Sequence, residues 1–171
     1  MRKKGQVWVE TVTYTLIAFV LIGLVLAFVK PKIDELQDKA LIEQSINVLR
    51  QVDSVVNEVY QDGVGNKRLL GVTIREGEFN INSVGNSISF SFIGNYMYSE
   101  PGQNYSEGSF DIRTTKLGSD YKVFVERKYP IYDITYGGAN NQKVLVGSSS
   151  PYQLFITNKG GTVPVIDFSL Q

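Results

Sequence analysis

Three hydrophobic patterns follow one another along this chain. From Val12 to Val29 nearly every position is apolar, and Thr13, Tyr14 and Thr15 are the polar interruptions. That stretch is close to the ~20 residues that a helix needs to cross the hydrocarbon of a bilayer. A second pattern begins after Pro31, where Ile33, Leu36, Ala40, Ile42, Ile46, Leu49, Val52, Val56 and Val59 recur every three or four residues among polar ones. This spacing predicts an amphipathic helix. Its stop is legible in Gly63 and Gly65, residues suited to ending a helix. One helix is therefore predicted from about Val7 to about Gln61, with a span over 11–29 and an amphipathic part over 32–61. At 1.5 Å per residue it would be ~80 Å long. Pro31 removes one backbone donor and should bend it where it leaves the apolar run.

From Leu69 onward the period becomes two. Phe79 and Ile81 alternate with asparagines, Ile88, Phe90 and Phe92 with serines, and Tyr121, Val123 and Val125 with Lys122, Phe124 and Glu126. These are strand patterns. Further strands are predicted in LLGVTI, SFDIRTT, KVLVG, YQLFIT and VPVIDFSL, punctuated by turns at Gly94-Asn95, Gly118-Ser119-Asp120, Gly137-Gly138 and Gly160-Gly161. About eight short strands with one apolar face define a β-sandwich-like head over 66–171. The fold class is thus α+β, a long N-terminal helix packed on an antiparallel head, with Val52, Val56 and Val59 resting on the sheet.

Composition narrows the chemistry. With 17 basic and 17 acidic side chains in 171 residues and 43% hydrophobic residues, the chain is too balanced for a polyanion binder and too apolar to be disordered. Nucleic acid is not an expected partner. There is no cysteine and no histidine, which removes disulfides, thiolate or imidazole metal ligands and imidazole bases. No cofactor or metal is expected. The carboxylates Asp111, Glu126, Asp133 and Asp167 fall in alternating patterns, where a solvated outward face accounts for them. The segment 95–108 is polar and rich in tyrosine, with Pro101 and two glycines, and is predicted to be a surface loop. It holds the one Asn-x-Ser/Thr sequon, Asn104-Tyr105-Ser106, a candidate N-glycosylation site.

One residue conflicts with the apolar run. Glu10 places a carboxylate in its leading turn, at a cost of roughly 2.5 kcal/mol or more at the bilayer centre, so such a residue normally marks function. It follows the basic cluster Arg2, Lys3 and Lys4 and then Gly5, Gln6, Val7, Trp8 and Val9. The basic cluster favours a cytoplasmic N-terminus and an external head. A conventional secretory signal would end in a small-x-small pair, whereas this run ends in LAFVKPK.

This start resembles the prepilin-type (class III) signal of type IV pilins, archaeal pilins and archaellins, and is most similar to the archaeal branch. Trp8 and Tyr14 depart from that pattern, which commonly has a small residue and a leucine there. The resemblance implies a leader of residues 1–5, cleavage by a membrane prepilin peptidase between Gly5 and Gln6, and a mature helix from Gln6 to residue 62. It also implies self-assembly into a helical surface filament by pilus machinery, with Glu10 meeting a neighbouring subunit's amino terminus. Removing Arg2, Lys3 and Lys4 leaves 14 basic against 17 acidic side chains, 14 − 17 = −3. The expected function is structural, with adhesion or motility downstream, from a membrane precursor to an external filament. The rival is a surface module anchored by the same signal that binds a sugar or other solute without polymerising. An anchored enzyme is disfavoured by the missing base and metal ligands.

Overall fold

The structure, a computed structural model, describes the backbone of residues 3–171 and the side chains from Val7 onward. Helix α1 runs over Lys3–Asp62, unbroken through Pro31. Ten strands follow: β1 Lys67–Val72, β2 Glu78–Asn82, β3 Ser87–Gly94, β4 Asn104–Glu107, β5 Phe110–Leu117, β6 Asp120–Lys128, β7 Asp133–Tyr136, β8 Gln142–Val146, β9 Tyr152–Gly160 and β10 Val165–Leu170. The chain comprises two compact units, Met1–Gln37 and Asp38–Gln171. The second half of α1 therefore belongs to the head.

The strands form two sheets, a four-stranded one in the order β1-β9-β10-β7 and a six-stranded one in the order β4-β5-β6-β3-β2-β8. All neighbours are antiparallel except β10 and β7, which run parallel. The expected α+β class, a long helix on antiparallel sheets, is the observed one, with this one parallel pair added. Strands β4 and β7, four residues each, are too short and polar for a period-two signal. Most of the segment read as a loop is irregular, but Asn104–Glu107 pairs with β5 across the Gly108-Ser109 turn. Backbone ladder bonds hold an edge strand whatever its side chains.

A single core joins the helix to both sheets. Ile42, Ile46, Leu49, Val52, Val56 and Val59 form the buried stripe of α1, against Phe79, Ile88, Phe90, Val123 and Val125 of the larger sheet and Leu154, Ile156, Ile166 and Phe168 of the smaller. The buried stripe begins later than the periodicity suggested, because Ile33, Leu36 and Ala40 are exposed. Period shows that a face is apolar; only tertiary contact decides where it is covered.

The helix end is secured by asparagines. Among the last four carbonyls, which lack intrahelical partners, Val59 O accepts from the buried Asn158 Nδ2 of β9 at 3.3 Å and Asp62 O from Asn66 Nδ2 at 2.7 Å. Gly63 then turns the chain at φ +91°, a left-handed conformation that glycine adopts without strain.

On the other sheet, Arg127 Nε donates to Asp53 Oδ1 of α1 at 2.9 Å in a largely buried pair. Arg127 shares the inward parity of Val123 and Val125, and Asp53 supplies the ionic partner that an inward charge needs. Above it, Tyr129 stacks on Tyr132 at 5.2 Å and Tyr132 lies 5.0 Å from Tyr60. Asp167 corrects the reading of outward carboxylates. It is 6% exposed because its Oδ1 accepts from Thr135 Oγ1 and Gly138 N, both at 2.7 Å, tying the β7 turn to β10.

The tyrosines give the head an alkaline limit. Burial, and then the Asp53 carboxylate, push the Tyr129 and Tyr132 hydroxyls well above the usual tyrosine range. In the unfolded chain they ionise near pH 10, so above that pH the folded state holds protons that the unfolded state has lost. Stability is unaffected by these groups below about pH 10 and then falls by up to ~1.4 kcal/mol per pH unit for each tyrosine that stays protonated. Among the described residues the buried Tyr129 hydroxyl makes no hydrogen bond of ordinary geometry, although the Asp53 carboxylate lies near enough to act on it. Tyr129→Phe is therefore expected to cost the Asp38–Gln171 fragment less than ~1 kcal/mol at pH 8 and to flatten the decline between pH 10 and 11. Urea unfolding by circular dichroism reads both, and an unchanged alkaline slope would refute the assignment.

Candidate functional site

The first unit is dominated by one exposed apolar surface. From Val7 to Val29 every side chain is exposed, with Trp8 at 70% and Phe28 at 78%. Full burial of one large apolar side chain is worth about 1.5–3 kcal/mol, so a run of this length must be covered by lipid or by protein. It is the one helix among the described residues that is long and apolar enough to cross a membrane.

Its polar atoms are adapted to an apolar surrounding. Thr11 Oγ1 donates to Val7 O at 2.9 Å, Thr13 Oγ1 to Val9 O at 2.8 Å and Thr15 Oγ1 to Thr11 O at 2.8 Å. Each hydroxyl proton is thereby satisfied within the helix, the condition for tolerating such groups in hydrocarbon. Pro31 has no N–H and leaves the Ala27 carbonyl without its usual donor, at the end of the apolar run. Two residues beyond Lys30, Lys32 Nζ pairs with Glu35 Oε2 at 2.6 Å, where charged side chains resume.

Glu10 lies on this helix and is exposed. Among the described residues it has no hydrogen-bond or ion-pair partner within the chain. The Gly5 and Gln6 backbones belong to the opening turns of α1, while their side chains lie outside the described residues. Gln6 and Glu10 are four residues apart, one turn and ~6 Å along the axis, so the helix brings the predicted cleavage point and the carboxylate onto one face.

Asn104 belongs to the other unit. It is exposed on β4, an edge strand of the six-stranded sheet. Its Oδ1 accepts from Arg113 Nε at 2.8 Å, and the sequon's Ser106 Oγ donates to Asp111 Oδ1 at 2.8 Å. These partners come from β5 and could not be read from the sequon itself.

Helix and head together define a class: an α+β protein whose N-terminal helix is buried against a β-rich head over its second half and carries a membrane-length apolar surface over its first. No protein-family model matches the chain, and no curated protein and no solved structure shows significant similarity to it.

Proposed function

We propose that this protein is an archaeal type IV pilin-like subunit, held in the membrane as a precursor, cut after Gly5, and assembled through α1 into an external filament. One observation carries the reading. A single helix supplies both the covered stripe from Ile42 to Val59 and the bare apolar surface from Val7 to Val29. A plain anchor needs only a span of ~20 residues and gains nothing from a continuous helix into the head. A filament subunit does gain, because one continuous helix then carries both the surface that packs in the filament and the stripe that belongs to the head's core.

Glu10 supports the same reading. A carboxylate near the start of the span stays within reach of headgroups in the precursor. After cleavage the new ammonium at Gln6 of a neighbouring subunit is its natural partner, since two buried charges are tolerated only as a pair. Asn104, exposed on an edge strand, is the proposed N-glycan site.

Electron microscopy of filaments sheared from the surface, with intact-mass analysis of this chain within them, tests the proposal. Filaments whose subunit begins at Gln6 are expected, with a glycan mass on the peptide containing Asn104. A chain that begins at Met1, or that is confined to the membrane in cells bearing filaments, would instead favour the anchored, non-polymerising binding module.

A further inference from the structure

The outward face of the six-stranded sheet carries a polar groove that neither the core nor the helix uses. Register places its side chains in rows across the strands. One row runs Asn104, Arg113, Phe124, Ser91 and Glu78, and the next runs Ser106, Asp111, Glu126, Ser89 and Asn80. A depression of about 280 Å³ lies over β4 to β6, lined by Asn104, Asp111, Arg113, Phe124, Glu126 and Lys128. A second, of about 510 Å³, continues across β3 and β2 beside Glu78, Ser91 and Lys122. Ser91 is paired with Phe124 and Ile93 with Lys122, so the two depressions adjoin.

Two features indicate a ligand rather than a merely solvated face. Asp111 and Glu126 are directly opposed across β5 and β6, and like charges facing each other on adjacent strands are destabilising. The flanking groups are preset: Arg113 is held by Asn104 at 2.8 Å, Asp111 by Ser106 at 2.8 Å, and Lys128 Nζ lies 3.5 Å from Glu126 Oε2.

We propose that this face is a carbohydrate-binding groove that seats a neutral oligosaccharide across the strands. The first depression has two carboxylates and two cations, so it neither attracts nor repels net charge. Paired acceptors and donors at fixed spacing suit vicinal hydroxyls, with the carboxylates accepting charge-assisted hydrogen bonds. Phe124 stands in the middle of the row, where its ring face, the negative side of the quadrupole, can meet the polarised C–H groups of a sugar ring. An extended peptide is a poorer fit, because mid-sheet backbone groups are already paired. Six strands at ~4.8 Å spacing give the face a width of ~24 Å, room for several rings.

The source of the sugar is either a glycan from outside or the chain's own glycan at Asn104, which lines the groove. The inference does not depend on polymerisation, and its test reads binding alone. Full-length chain in zwitterionic detergent micelles, isotope-labelled and made without glycosylation, is titrated with neutral tetrasaccharides of glucose, mannose and N-acetylglucosamine. Amide shifts are expected in β4, β5, β6 and β3, with at least one sugar binding. Phe124→Leu keeps apolar bulk and should weaken binding roughly three- to tenfold, and Asp111→Asn about tenfold. Both should retain wild-type spectra elsewhere. If material from native cells binds as well as the unglycosylated chain, the groove serves an external glycan; if only the unglycosylated chain binds, the groove is filled by its own. Absence of binding by the unglycosylated chain, shifts confined to other surfaces, or unchanged affinity in both variants would overturn the proposal.

Discussion

Replacement of Glu10 by alanine is expected to leave the chain processed and inserted while filaments fall to a small fraction of the wild-type number. On the assembly reading, Glu10 and the Gln6 ammonium of a neighbour are buried together, and loss of the carboxylate strands the ammonium. Breaking a buried pair in this way costs about 3–5 kcal/mol. Because 1.4 kcal/mol is a factor of ten, the subunit concentration needed for assembly should rise by roughly two to three and a half orders of magnitude. Removal of Glu10 also eases insertion into lipid, so the variant should accumulate in the membrane in processed form. Filament counts by microscopy beside membrane levels of processed subunit are the measurement. Normal filament yield would mean that Glu10 is only a tolerated interfacial carboxylate. Intact mass adds a control: an N-terminal glutamine that has cyclised has no ammonium, and the pairing account would then fail even if Glu10 were needed.

The second large effect concerns processing. Gly5 joins the basic cluster to the apolar run, and a residue without Cβ allows another backbone, here that of a protease, to approach closely. Gly5→Phe is expected to abolish cleavage, leaving a precursor that begins at Met1 and is anchored with unchanged orientation, since Arg2, Lys3 and Lys4 still set it. No filaments should form. Retention of three positive charges and a blocked N-terminal face would each oppose packing in an apolar core. Mass spectrometry of the membrane fraction reads the result. Full processing of Gly5→Phe would remove the cleavage-site assignment, and with it the strongest link to the prepilin class.

The proposed groove, by contrast, became visible only from strand register. Asn80, Ser89, Asp111 and Glu126 looked like unremarkable outward positions in the sequence. Pairing of β5 with β6 set two of them face to face, and pairing of β3 with β2 aligned the serines and asparagines. Likewise, Arg127 shares the strand parity of Val123 and Val125, but its partner Asp53 lies 74 residues away in sequence, beyond any local pattern. Asp167 shows how the same rule can mislead. It alternates like a solvated residue yet is held inside by Thr135 and Gly138.

What the amino-acid sequence determined by itself is the set of features governed by local chemistry. The apolar span, the helical period through Val59, the glycine stop, the main strands and the anomaly of Glu10 all follow from which residues stand within one or two turns of each other. What the tertiary structure alone decided is which apolar positions are covered and which polar ones meet. Ile42 is buried and Leu36 is not, though the period treats them alike, because burial depends on where the sheets end. Strands β4 and β7 exist because a neighbour offers backbone partners, an interaction that carries no sequence signal of its own.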